Sequence, residues 1–254
     1  MQPADLASLR QEIDRIDDRI ADLLMQRLDV VRAVGHAKGD LKSNRLALRL
    51  SREAQMMRRL LARTAGGFPP NGVLRIWREI IANSTQIEVP FSCVVDRLGG
   101  VVLHDLARDQ VGSATPVEDA EGGVAVLARL RAAPTMLGVL APPTAADWWP
   151  SQLDERLAVV ARLPLTATET VPLGYVVAPL VAEPSGDDRT LFDVDGHDGG
   201  GAVAARVLVR SGQGRALVEL EGFAADPPDG RWRRLGSYAS PLRLPEQVPA
   251  GDQA

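Results

Sequence analysis

The stretch LLMQRLDVVRAVGHAKG, Leu23 to Gly39, reads as an amphipathic helix whose apolar stripe is interrupted by charge. At about 100° per residue, with Arg10 set at zero, Leu9, Ile13, Ile16, Ile20, Val31 and Val34 cluster between about 240° and about 300°. On the same wheel Arg27 falls near ~260° and Lys38 near ~280°, in the middle of that stripe. Arg10 sits on its flank, whereas Arg15, Arg19, Arg32 and His36 point to the polar side. An unpaired cation is costly to bury, so something anionic must meet Arg27 and Lys38.

Outward from this stretch, a helical pattern runs from about Asp5 to Lys38 and is broken by GDLKSN, with its Gly39 and Asn44. A second helix is expected over Ser51–Arg63, stopping at the Gly/Pro cluster TAGGFPPNG. A third is expected over Asn71–Ile87, ending before Pro90. Leu6, Leu9, Ile13, Ile16, Ile20 and Leu23 keep the three-four spacing of a coiled-coil seam. Three helices so unequal in length are poorly matched to close a core alone, and the expectation is an intertwined dimer.

The second and third helices add polar groups to their apolar sides. Glu53 lies on the face of Met57, Leu60 and Leu61, where pairing with Lys38 or Arg27 is expected. Ser84 and Glu88 continue the row of Trp77, Ile80 and Ile81. One carboxylate does not balance Arg10, Arg27, Lys38 and Arg52, so the set reads as a pocket for a small polyanion. The plainer alternative is that seam arginines snorkel or form salt bridges between helices.

From Phe91 the texture changes. FSCVV, TMLGVLA, RLAVVARLPL, GYVVAPLV, AVAARVLV and RALVELEGF are short apolar runs suited to strands, separated by helix-like pieces such as VVLHDLARDQ and GVAVLARLRA. EPSGDD, DGHDGGG and ADPPDGR read as loops, and the tail after Pro245 as frayed. The fold class is therefore α+β in two domains: an all-α three-helix domain over residues 1–89 and an α/β domain with a mixed sheet over 90–254.

Composition narrows the function classes. The 254 residues are 45% hydrophobic with a net charge of −4. Residues 1–88 carry 15 Lys+Arg against 11 Asp+Glu, a net of +4, and residues 89–254 carry 14 against 22, a net of −8. The basic part faces an anionic ligand in this reading, while the overall acidity disfavours nucleic acid. The single cysteine, Cys93, excludes an intrachain disulfide and fits a reducing compartment. No run of about 18 apolar residues exists, so a cytoplasmic protein without membrane contact is expected.

The ordered set LRQEID (Arg10), QRLDVVRAVGHAKG (Arg27, Lys38), SRE (Arg52, Glu53) and IWREIIANSTQIE (Ser84, Glu88) resembles the all-helical AroQ class of chorismate mutases over about a third of the chain. The resemblance implies an intertwined homodimer that rearranges chorismate to prephenate, an isomerase step of aromatic amino acid biosynthesis, with no cofactor and no covalent intermediate. It implies that Arg10 reaches across the dimer and, with Arg27, binds substrate carboxylates. Lys38 donates to the breaking ether oxygen and a carboxylate, and Arg52 supports the carboxylate or the electrostatic framework. Glu53 accepts from the substrate hydroxyl, and Ser84 adds a carboxylate contact. Glu88, where relatives have Gln or Glu, donates to the ether oxygen, which a glutamate does only when protonated. The position of Arg49 is commonly acidic in bacterial enzymes of this class, and the linker after the first helix is about two residues longer. Two alternatives share the scaffold: an isochorismate-pyruvate lyase, and a weakly active or non-catalytic module that regulates a partner pathway enzyme.

The C-terminal part more faintly resembles prephenate dehydratase with its ACT module. LVELEGFAADPPDGRWRRLGSYASP resembles the closing strand, helix and strand, with ELEGF and LGSY as markers. The dehydratase Thr-Arg-Phe motif aligns with Asp188-Arg189-Thr190, and an ESRP motif is missing, so the implication is a degenerate relative without dehydration chemistry. His36, His104 and His197 show no metal-ligand spacing, and DVDGHDGGG lacks the EF-hand pattern and reads as a solvated turn. Trp148 and Trp149 beside Pro150 are expected to anchor a loop or interface.

Overall fold

A computed structural model describes residues 5–38, 45–142, 148–149, 153, 155–167, 172–196 and 205–244, the side chain of Lys38 excepted. Three helices lead: α1 (Leu6–Lys38), α2 (Leu50–Arg63) and α3 (Pro70–Glu88). These bounds lie within a residue of those expected, because glycine and proline breaks punctuate a clean 3.6-residue period. Pro70 supplies the first turn of α3, where a missing N–H costs nothing.

α1 has 33 residues and so spans roughly 50 Å. It meets α3 around Arg27 and Gly35. A side chain at Gly35 would stand 2.9 Å from the Glu88 Oε1, so glycine lets the two helices close around that carboxylate. Upstream, the stripe expected to be buried lies open in the single chain: Leu9, Ile13, Ile16 and Ile20 are 49%, 57%, 46% and 51% exposed.

α2 and α3 pack through Met57, Leu60, Leu61, Val73 and Ile81, and Leu242 from the far end of the chain joins this cluster. Gln86 holds the exit from α3, its amide exchanging hydrogen bonds with the Phe91 carbonyl and N–H. The Glu79 carboxylate accepts from the Ser113 N–H and hydroxyl, tying α3 to the following domain.

Then follow β1 (Ser92–Asp96), α4 (Gly100–Val111), β2 (Val117–Ala120), α5 (Gly123–Ala132), β3 (Met136–Leu140), β4 (Ala158–Leu163), β5 (Gly174–Ala178), β6 (Asp188–Asp195), β7 (Ala205–Arg210), β8 (Arg215–Glu221) and β9 (Trp232–Ala239). Among the described residues they form one mixed sheet in the order β2-β1-β3-β5-β4-β9-β6-β8-β7. β2, β1 and β3 are parallel, and β5 and β4 antiparallel to their inner neighbours. β9, β6, β8 and β7 form an antiparallel ribbon.

The two halves join at a parallel β4–β9 contact that pairs Val159 with Gly236. Gly236 has φ +153°, and a Cβ there would collide with the Val159 backbone carbonyl. The close approach of the strands therefore requires glycine.

The β1–β3–β5 part of the sheet is covered on both faces. Cys93, Val95, Leu137, Val139 and Val176 face α4 together with Leu46 and Leu48 from the segment before α2. Val94, Leu140, Tyr175 and Val177 face α5 and the two tryptophans. Trp148 and Trp149 are fully buried; the Trp148 indole N–H donates to the Ala141 carbonyl and its ring meets Tyr175 edge-on. They thus anchor a loop, as expected, into the core.

Three expectations fail here. β6, the middle strand of the antiparallel ribbon, was not foreseen because acidic residues interrupt its pattern. Asp193, read as part of a solvated turn, is fully buried, clamped by Arg215 at 2.7 and 2.8 Å and by Arg233 at 3.0 Å. No helix separates β8 from β9: residues 222–231 are turns and bends, as the paired Pro227 and Pro228 dictate. β2 was also missed, a four-residue edge strand with two exposed acids. His197 and the tail from Pro245 lie outside the described residues.

Candidate active site

A broad cleft of about 840 Å³ opens between the C-terminal turns of α1, the segment leading into α2, and the C-terminal domain. Arg27, Arg45, Arg49, Arg52, Glu88 and Glu183 are its charged lining residues. Four arginines against two glutamates leave a surplus of two positive charges.

Arg27 is half-buried on α1, and its Nη1 donates to the Ser84 hydroxyl at 2.8 Å. That hydroxyl donates in turn to the Ile80 carbonyl at 2.7 Å. Its proton is committed to the helix backbone, so the oxygen can only accept from Arg27. Ser84 thereby aims the guanidinium. Burial lowers the Arg27 pKa, because a neutral hydroxyl compensates a desolvated cation only in part.

Among the described residues, Arg27, Arg45 and Arg52 form no ion pair, and only Arg49 of the four cleft arginines does, with Glu183 at 2.8 Å. Arg45 and Arg52 are exposed and Arg27 half-buried, so all three present positive charge to the cleft without a carboxylate beside them. The Glu88 carboxylate, at the end of α3, reaches the same cleft over Gly35.

Glu53 behaves differently. It is buried on the inner side of α2, where its Oε2 accepts from the Arg78 Nη1 at 2.5 Å. Of the two pairings read from the sequence, Arg27 turns to Ser84 instead, and Glu53 makes this bridge across α2 and α3. Arg78 was missed in the sequence, although the signal was there. It stands three and four residues before Ile81 and Ala82, a cation inside an apolar stripe like Arg27.

Of the other candidates, Arg10 is exposed on α1, about 26 Å up the helix axis from Arg27. Nothing in the single chain brings it to the cleft. The Lys38 side chain lies outside the described residues, and its backbone is the last of α1. Arg45 had no periodic signal, because it precedes α2 in an irregular segment.

In the C-terminal domain, the triplet aligned with the dehydratase motif serves the framework. The Asp188 carboxylate accepts from the Ser185 and Gly186 N–H groups. The Thr190 hydroxyl donates to the Gly222 carbonyl, accepts from the Ala224 N–H and meets the Ser237 hydroxyl. The Cys93 thiol is fully buried, and burial raises its pKa far above the usual thiol range.

Residues 9–89 match the family model described as chorismate mutase type II. All the candidate positions fall inside that match, from Arg10 at its start to Glu88 at its end. The helical region is therefore a chorismate mutase type II domain, followed by a C-terminal domain with a mixed sheet. A solved structure titled "GqqA- a novel type of quorum quenching acylases" aligns over 58% of this chain and 94% of its own, at 14% identity and a TM-score of 0.41. The search of curated proteins found no match.

Proposed function

We propose that the protein is a chorismate mutase, rearranging chorismate to prephenate in the cleft of α1, α2 and α3. The observation that carries this reading is the set of cleft arginines without carboxylate partners inside a domain of that family. Chorismate is a dianion, and its two carboxylates suit a cleft whose charge is positive with Glu88 ionised and more so with Glu88 protonated.

The rearrangement is unimolecular, so catalysis consists of holding a compact conformer and stabilising the charge that builds on the breaking ether oxygen. In this proposal Arg27, aimed by Ser84, and Arg52 bind the carboxylates, while Lys38 and protonated Glu88 donate to the ether oxygen. Glu53, braced by Arg78, offers its other oxygen to the substrate hydroxyl. Arg10 enters the cleft of a second subunit. An antiparallel pairing through the open stripe of α1 would cover Leu9, Ile13, Ile16 and Ile20 and make the homodimer. The C-terminal domain carries no dehydration step in this reading, since Asp188 stands where the dehydratase motif has its threonine and its carboxylate is spent on the Ser185 and Gly186 N–H groups.

The test is loss of chorismate absorbance with the purified full chain at several pH values, with an Arg27→Ala control. Turnover to prephenate that the control loses supports the reading. Turnover falling as pH rises through the Glu88 pKa, and flattened by Glu88→Gln, supports the role of its proton. A folded chain that never turns chorismate over refutes the mutase reading and leaves the binding-module alternative.

A further inference from the structure

The C-terminal domain lines the cleft as well as following it in sequence. The connection between β5 and β6, residues 179–187, runs along α2, and Leu180, Val181, Ala182 and Glu183 face the cleft opposite Arg27 and Arg52, with Val160 of β4 behind them.

This connection is fastened along its length. The Glu183 carboxylate takes Arg49 Nη2 at 2.8 Å, and its backbone carbonyl accepts from the Ser51 hydroxyl. The Gln55 amide reaches the Pro184 carbonyl at 3.4 Å. Arg58 donates to the Ser185 carbonyl at 2.9 Å and to the Asp187 carbonyl at 2.7 Å. Asp188, at the start of β6, closes the turn from below through the Ser185 and Gly186 N–H groups. Arg49, Ser51, Gln55 and Arg58 thus tie α2 from its N-cap to its third turn, and Arg52 and Glu53 with it, to the other domain.

The crest of the connection is left bare. Val181 is 90% exposed although its neighbours are fastened, and it stands on the wall of a cavity with surplus positive charge. Leu180, Val181 and Ala182 thus form an apolar stretch of cleft wall on a backbone that α2 holds in place.

We propose that the substrate site is shared between the two domains, with the β5–β6 connection as its second wall. Val181 contacts the bound dianion, and Glu183 is a positioning residue that holds Arg49 and the start of α2. The proposal rests on the mutase reading and deepens it. It gives the C-terminal domain a part in substrate recognition, and it assigns Arg49 to the contact between domains.

The experiment compares kcat and KM for chorismate in the full chain and in Val181→Glu, Val181→Lys, Glu183→Ala and the charge swap Arg49→Glu/Glu183→Arg, with a thermal melt of each. Val181 is solvated, so neither substitution there disturbs folding. Val181→Glu is expected to raise KM by roughly threefold to about tenfold, the effect of one like charge within about 8 Å of a dianion in water. Val181→Lys is expected to lower KM, and both effects shrink in high salt. Glu183→Ala raises KM with kcat little changed, and the charge swap restores it. If the wild type is active but both Val181 variants share its KM, the wall has no part in recognition and this proposal falls while the mutase reading stands. A folded wild type without turnover overturns both.

Discussion

Breaking the buried Glu53–Arg78 bridge should be the most damaging change in the helical region. The pair sits 2.5 Å apart, with side chains only 10% and 8% exposed, on facing sides of α2 and α3. Truncation at Glu53→Ala leaves the Arg78 cation buried without its partner, a loss of about 3–5 kcal/mol. That multiplies the unfolding constant by roughly a hundred to several thousand. Glu53→Met/Arg78→Leu removes both charges and refills the space, so it should return to near wild-type stability. The assay is urea unfolding followed by far-ultraviolet circular dichroism, read as midpoints at unchanged slope. A loss below about 1 kcal/mol for Glu53→Ala, or a double variant as unstable as the two single losses added together, would refute the reasoning. The double variant also separates two jobs. If its stability recovers but its KM for chorismate stays high, Glu53 touches substrate as well as bracing α2. If both recover, it is a brace alone.

Gly35→Ala improves helix propensity by up to about 1 kcal/mol but pushes on the Glu88 carboxylate, so kcat should fall with the melting temperature unchanged or higher; kinetics beside a thermal melt read both. Ile13→Glu/Ile16→Glu should leave helix content intact and convert a dimer to monomers, measured by sedimentation, with turnover lost as Arg10 leaves the neighbouring cleft. Burial raises the pKa values of Cys93, Tyr175 and Tyr238 in the folded state. The unfolded chain therefore loses these protons first, and stability should drop once pH passes about 8.5 for the thiol and about 10 for the phenols. Denaturant midpoints between pH 8 and 11 test this, and native Cys93 should resist a thiol reagent that labels it after unfolding.

The helical region was legible because its signals are local. Gly39, the TAGGFPPNG cluster and Pro90 mark ends, and a cation inside an apolar stripe marks a polar partner on a facing helix, Ser84 for Arg27 and Glu53 for Arg78. Arg49 needed the third dimension: its partner Glu183 stands 134 residues away, on a turn with no periodicity of its own. β6 was hidden for the same reason. Asp193 looks solvated until Arg215 and Arg233 arrive from other strands. Burial of a charge can be read from a chain only when its partner lies on the same or an adjacent helix.

Gly236 has a consequence well beyond its own strand. α2 packs against β9 and is also fastened to the turn before β6, while β4 and β5 on the other side of the seam supply Val160 and the start of the connection to the cleft wall. The arginine-bearing helix therefore lies across the line where the two half-sheets meet, at the Val159–Gly236 pair and again where Leu242 exchanges backbone hydrogen bonds with Leu165 and Ala167. A larger residue at 236 would push β4 away from β9 and leave the Leu242 contacts with Leu165 and Ala167 to hold the seam. One missing methyl group thus sets how closely the sheet that carries both α2 and the cleft wall can draw together.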